Sequence, residues 1–160
     1  MDRESKAHKN VSKNTKDTRE KAILIGIEFL SNGSSPLNNN LKELNRLTET
    51  ARYNAISIVS QKLTRINPKS FIGKGKVEEV AQLIRHFSAD IVIFDENLSP
   101  AQNRNLENIF KCRVIDRSWL ILEIFGNHAR TREAKAQVEL ARLKYALPRL
   151  TKMWGHLSRQ

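Results

Sequence analysis

The sequence predicts an α/β fold: a small four-stranded, mostly parallel sheet with flanking helices, followed by a long C-terminal helix that forms half of a helical hairpin. Three observations predict it. From Lys21 onward, short apolar runs alternate with longer segments of helical period, the pattern of βα units. Ile91-Val92-Ile93-Phe94 is an unbroken apolar run rich in β-branched residues, as a strand covered on both faces must be. After Thr131 the chain is rich in Ala, Leu, Arg, Lys and Glu, with apolar residues recurring at helical spacing on two sides.

The elements follow in order. Residues 1–20 offer only Met1, Ala7 and Val11 as apolar side chains, too little burial to offset the entropy of ordering, and read as a disordered tail. An α/β subdomain is expected over 21–129 and a long basic helix over 130–160. The first strand is Ala22 to Phe29; a loop rich in Ser, Asn, Gly and Pro, Ser31 to Asn40, leads to a helix from about Leu41 to Ala51. The second strand is Ala55 to Val59. A connection containing Pro68 and Gly73-Lys74-Gly75 then enters a helix with Val77, Val80, Ala81, Ile84 and Phe87 on one face. After the third strand, Ile91 to Phe94, Ser99-Pro100-Ala101-Gln102 has the form of a capping box with proline at the first helical position, opening a helix that runs to about Phe110. The last strand is Arg113 to Ile115. Asp116 caps a helix with Ile121, Ile124, Phe125 and His128 on one side.

From Thr131 to about Trp154 the spacing predicts one long helix with two opposed apolar stripes. Ala136, Leu140, Leu143, Leu147, Leu150 and Trp154 form one; Ala134, Val138, Ala141 and Tyr145 form the other, with smaller side chains. The α/β body can cover one stripe. Only Gly155 to Gln160 remain to cover the other, so a hairpin helix beyond Gln160, or a second protein, is expected. Gly155 and the polar residues after it read as the approach to a hairpin tip, and Pro148, lacking a backbone donor, is expected to kink the helix and aim that tip, the alternative being that the helix simply ends near Ala146.

The formal charge is +11, and it is unevenly placed: eight Lys/Arg against two Asp/Glu in residues 130–160, fourteen against eleven in 21–129, six against four in 1–20. Such concentration is the electrostatic footprint of a surface that meets nucleic-acid phosphates or, less often, anionic lipid. Lys135, Arg142 and Arg149 recur every seven residues and so share one helix edge, with Arg132 and Lys152 flanking and Glu133 and Glu139 as the acids nearby. Trp154 and His156 at the same end can stack on bases, and Arg159 adds charge. A solvated charged face is the plainer alternative.

Other motifs carry less. Gly73-Lys74-Gly75-Lys76 lacks the spacing and the Ser/Thr of a Walker A loop, and Glu78 stands where the dinucleotide fingerprint needs its third glycine. Its amides and lysines can still hold a phosphate at a helix start, while a simple helix-capping turn explains the same residues. Asp95-Glu96 follow the third strand at the ligand-binding edge of α/β sheets and, with Glu28, would be a metal or phosphoacceptor cluster if the fold joined them; a turn-capping role for Asp95 is the alternative. Ser99 and Gln102 serve as caps, Cys112 has no activating neighbour, and His8, His86, His128 and His156 share no ligand spacing. No catalytic triad stands out. With one cysteine, no internal disulfide can form; the longest early apolar run, Ala22 to Ile27, is too short to span a bilayer, and a cytoplasmic setting without membrane attachment is expected.

Several segments in order resemble the N-terminal region of HflX-type GTPases: Phe71-Ile72-Gly73-Lys74-Gly75-Lys76-Val77-Glu78-Glu79; Ile93-Phe94-Asp95-Glu96-Asn97-Leu98-Ser99-Pro100-Ala101-Gln102; Asn105-Leu106-Glu107; Val114-Ile115-Asp116-Arg117; and the run from Ala129 through Leu150. The resemblance implies a ribosome-associated GTPase that binds rRNA of the large ribosomal subunit and acts on stalled or stressed ribosomes, monomeric when complete. It implies a small parallel α/β subdomain and a two-helix hairpin whose tip approaches the peptidyl transferase centre. The family's second helix, GTP-binding domain and magnesium ligands would lie beyond Gln160, so GTP and Mg2+ are expected of that missing domain, and no cofactor and no GTP hydrolysis of this chain alone. The family's N-terminal region is also linked to ATP, which keeps Gly73 to Lys76 as a nucleotide candidate. A small nucleotide-binding α/β domain and a protein-interaction module remain the competing classes.

Overall fold

The computed structural model describes residues 17–30 and 37–150. The expected tail up to residue 16, the loop residues 31–36 and everything after Leu150, including Trp154 and the approach to a hairpin tip, lie outside the described residues.

Alternation of side chains across the pleat decides where each strand sits. In β1 (Lys21–Phe29), Ile23, Ile25 and Ile27 are buried in one core and Ala22 and Leu24 in another, so both faces of this strand are covered. It pairs with a strand on each edge and so lies inside the sheet, whose order is β2-β1-β3-β4 with β2 at Asn54–Leu63, β3 at Ile91–Phe94 and β4 at Arg113–Ile115. All three pairings are parallel, with Lys21 opposite Asn54, Ala22 opposite Ile91 and Ile91 opposite Arg113. On one face, α2 (Lys74–Phe87) and α3 (Pro100–Phe110) bring Val77, Val80, Ile84, Leu106 and Phe110 against Ile23, Ile25, Val92 and Phe94. On the other, α1 (Leu37–Thr50) and α4 (Arg117–His128) bring Leu44 and Leu120 against Leu24, Ile91 and Ile93. Each such fully buried aliphatic side chain is worth about 1.5–3 kcal/mol.

The third strand, α3 and the fourth strand stand where the sequence places them. Ser99 Oγ accepts from Gln102 N–H at 3.1 Å while Gln102 Oε1 accepts from Ser99 N–H at 2.9 Å, a complete capping box. Asp116 Oδ1 caps α4 by accepting from Trp119 N–H at 3.1 Å.

Elsewhere the structure differs. Helix α1 begins at Leu37 rather than Leu41, three weak helix formers, Asn38 to Asn40, being carried by the helix behind them. Strand β2 runs on to Leu63 past the expected Val59, since an edge strand keeps its ladder through polar residues and Ser60, Gln61 and Lys62 pair with Gly26, Ile27 and Glu28. The inward residue of α4 is Leu120; of the face expected from spacing, Ile124 packs on the core, whereas Phe125 and His128 are exposed. Phe87 likewise ends α2 partly exposed, edge-on to His86.

Thr131 Oγ1 accepts from Ala134 N–H at 3.1 Å and opens α5 (Arg132–Ala146). The α-helix ends at Ala146, and Leu147–Arg149 form a tighter 3-10 turn, so Pro148 does not kink a continuous α-helix within the described residues. With no N–H at Pro148, the α ladder has no donor there, and Leu150 N–H is shared between the carbonyls of Ala146 and Leu147. Contacts run Gly126 to Arg142, Trp119 to Tyr145 and Asp116 to Arg149, so α5 returns antiparallel along α4. Its end lies beside the outer strand β4, where Val114, Asn103, Trp119, Tyr145 and Arg149 line one cleft.

Candidate nucleic-acid interface

Helix α5 turns its small stripe inward. Ala134, Val138, Ala141 and Tyr145 are half-buried, and Leu122 and Phe125 of α4 share a cleft with the first three. The large stripe faces out: Leu140, Leu143, Leu147 and Leu150 are 54, 51, 53 and 46% exposed. Small side chains face α4 here, and at Gly126 the end of the Arg142 side chain fills the space a Cβ would take, 2.3 Å from Nη2.

That same contact corrects the expected cationic seam. Lys135, Arg142 and Arg149 do share an edge, but toward its end the edge is turned to α4 and the sheet. Arg149 is the clearest departure: Nη2 donates to the Leu98 carbonyl at 2.9 Å and lies 3.4 Å from Asp116 Oδ2, and Nη1 donates to the Tyr145 carbonyl at 2.9 Å. Its guanidinium sits 3.5 Å from the centroid of the Tyr145 ring, and its side chain is 15% exposed. A carboxylate from the sheet portion thus neutralises this cation, which helical spacing alone leaves open. Arg142 lies over α4 at Gly126 and within 4.0 Å of Glu139. Arg132 and Lys135 are exposed, as are Arg130 beside them and Lys144. Lys152, Trp154, His156 and Arg159 lie outside the described residues.

At the C-terminal edge of the sheet, where chain order reverses between β1 and β3, Asn40, Glu43, Asp95, Glu96, Asn97 and Arg117 line a polar pocket. Arg117 bridges Asp95 and Glu43, each at 2.8 Å. Burial holds the Asp95 carboxyl above its ordinary range despite Arg117, and burial followed by the Asp95 charge does the same for Glu96. Glu28 instead pairs with Lys62 at 3.6 Å, and among the described residues no group of three His, Cys, Asp or Glu is placed to hold a metal.

Gly73 is the N-cap of α2, its carbonyl accepting from Val77 N–H at 3.0 Å and its N–H donating to Gln61 Oε1 at 3.2 Å. Lys76 pairs with Glu79 at 2.7 Å, a Cβ on Gly75 would meet nothing within 4 Å, and Lys74 faces a groove lined also by Asn67, Lys69, Asn105, Asn108 and Ile109. The Cys112 thiol is pushed up to about 11 by burial, then by the charges of Glu107 and Asp90, so it stays protonated at neutral pH. Sequence reasoning found Asp116 only as a cap; that its second oxygen accepts from Leu98 N–H at 3.0 Å and meets Arg149 depends on tertiary packing, with no local signal.

The fold and site define a parallel α/β domain with a basic helical arm docked along its outer strand. Two family models match it in succession, one described as GTP-binding GTPase N-terminal over residues 38–126 and one as GTP-binding GTPase Middle Region over residues 128–160. The chain belongs to this family of HflX-type GTPases. It is 43% identical over 141 residues to GTPase HflX of Flavobacterium psychrophilum, covering 88% of this chain and 34% of that protein. For GTPase HflX of Escherichia coli the identity is 42% over 144 residues, covering 90% and 33%. The chain therefore spans about a third of the length of these curated relatives. A GTP-binding protein of the archaeon Sulfolobus solfataricus, solved in complex with GDP, superposes with a TM-score of 0.66 at 30% identity, covering 85% of this chain and 40% of that one. Among the described residues no helix is long and apolar enough to cross a membrane.

Proposed function

We propose that this chain is the ribosome-binding part of an HflX-like GTPase, its basic arm meeting rRNA of the large ribosomal subunit, in a protein that acts on stalled or stressed ribosomes in the cytoplasm. The observation that carries the reading is the exposed cluster Arg130, Arg132 and Lys135 at the α4–α5 elbow, with Glu133 as the acid beside it. Arg149 is withdrawn from the RNA-binding set, and Arg142 contributes at most its partly exposed edge. GTP and Mg2+ are bound, in this reading, by parts of the longer relatives that this chain does not span. The leucine stripe is the seat of the second hairpin helix.

The test is binding of this chain to large-subunit rRNA across a salt series. Arg132→Gln with Lys135→Gln weakens binding and flattens the slope of log K against log salt by about 0.9 for each phosphate no longer neutralised. Unchanged affinity and slope would overturn the assignment. A second reading, nucleotide binding, is favoured by the groove where Lys69 and Lys74 flank Asn67, Asn105 and Asn108. Titration with ATP and GTP separates it: tight nucleotide binding without RNA affinity supports the groove against the arm.

A further inference from the structure

At the base of the arm one arginine joins three elements: the 3-10 turn that carries it, the α4 cap at Asp116, and the loop between β3 and α3 at Leu98. We propose that Arg149 is a releasable latch that fixes the direction in which the arm leaves the α/β body, and that it opens without unfolding that body. The proposal goes beyond the RNA reading and does not rest on it.

Two features make the pair separable. Asp116 is buried, yet its carboxylate already accepts from two backbone N–H groups, Trp119 at 3.1 Å on one oxygen and Leu98 at 3.0 Å on the other. When Arg149 leaves, the buried charge keeps both donors, so the large cost of stranding an unpaired ion is avoided. The closed state, for its part, is incompletely satisfied: the Arg149–Asp116 contact is long at 3.4 Å, and Arg149 Nε is buried with no hydrogen-bond partner. A further polar contact of this segment, Arg104 Nη1 to the Pro148 carbonyl, is exposed and also 3.4 Å.

What opens is limited by packing. Ala134, Val138 and Ala141 keep the first three turns of α5 against α4, so release frees the chain from Leu147 onward. Leu98 closes the loop that starts at Asp95, so the latch also ties the arm's direction to the polar pocket at the sheet edge. An element with two arrangements, shared by two regions, is the physical requirement for coupling them.

The test places nitroxide labels at Glu78→Cys on α2 and Leu150→Cys after the turn, in a Cys112→Ala background of the full chain, and reads the distance distribution. With Arg149 intact a single narrow distance is expected. Arg149→Leu keeps the apolar stem and removes the charge; it is expected to broaden the distribution about twofold or more while the melting midpoint and the exchange rate of the Leu98 amide stay as in the parent. Asp116→Ala serves as the comparator, losing Leu98 protection and lowering the midpoint. A distribution as narrow in Arg149→Leu as in the parent overturns the proposal. So does a fall in midpoint equal to that of Asp116→Ala, which would make Arg149 a structural core residue rather than a latch.

Discussion

Helices α2 and α5 are nearly equal in length, 14 and 15 residues, yet α2 buries Val77, Val80 and Ile84 and α5 buries none. The difference is not in apolar content but in how many surfaces that content needs. Helix α2 gathers its large side chains on one stripe, and the sheet covers it. Helix α5 divides them, presenting Ala134, Val138 and Ala141 to α4 and holding Leu140 and Leu143 in solvent. A body helix is thus stabilised by what lies beneath it. The arm is held by a few small contacts and two arginines, which leaves its leucine face available to a partner.

The largest effect should separate body from arm with the same substitution. Leu106→Ala removes a side chain with no exposed surface and should cost about 3 kcal/mol, whereas Leu140→Ala, half exposed, should cost less than about 0.5 kcal/mol. Urea unfolding of the two variants measures both. Equal costs would mean that the leucine stripe is covered in solution, and the contrast would fail.

The two helix caps sharpen the same comparison. Asp116→Ala strips the α4 cap and strands the Leu98 amide, for a loss of about 2 kcal/mol. Thr131→Ala removes the corresponding cap of α5, where one exposed bond is at stake, and should cost about 0.5–1 kcal/mol. Thermal melting reads the first as a shift of the whole transition; amide exchange in the first turn of α5 reads the second. If both shift the global transition equally, arm and body unfold as one unit.

How much of this was legible in the sequence follows the same division. Ile91 to Phe94, the Ser99–Gln102 capping box and the α4 cap at Asp116 were readable because their signals are local: an apolar run, or a side chain three residues from the amide it accepts. The limits of α1 and β2 were hidden because Asn38 to Asn40 and Ser60 to Lys62 have weak propensities that the fold overrides. For the arm, spacing set Ala134, Val138, Ala141 and Tyr145 on one side and Leu140 and Leu143 on the other, and the structure has the first set half-buried and the second exposed. Spacing could not give orientation: a seven-residue repeat states that Lys135, Arg142 and Arg149 share a side, and is silent on whether that side meets water or Asp116.

Orientation can be probed where the Arg142 side chain covers Gly126. Gly126→Ala gains up to about 1 kcal/mol in helix propensity but drives its Cβ into the end of the Arg142 side chain, 2.3 Å from Nη2. A flexible guanidinium can swing aside, so stability should change by less than about 0.5 kcal/mol while Arg142 turns outward. The measurement is the Arg142 Nε–H resonance, which should move and exchange faster with water. An unmoved signal together with a large loss of stability would show that Arg142 is fixed on α4 rather than resting on it.

The smallest effect tests whether the body carries its own electrostatic cost at the sheet edge. Burial and the neighbouring Asp95 charge raise the Glu96 pKa, so ionising this group is harder folded than unfolded. The sign follows from linkage: a raised carboxyl contributes its stability at pH below the unfolded value, near 4.3, and that contribution is lost as pH climbs through the higher folded value. Glu96→Gln, which cannot ionise, should therefore raise the melting midpoint slightly at pH 7 and leave it unchanged at pH 3. The side chain is only half-buried, so the gain at neutral pH should be small and should shrink further in high salt, where the repulsion from Asp95 is screened. A variant that loses stability at pH 7 would indicate that the ionised Glu96 has a favourable partner, and that the polar pocket is an attractive network rather than a strained one.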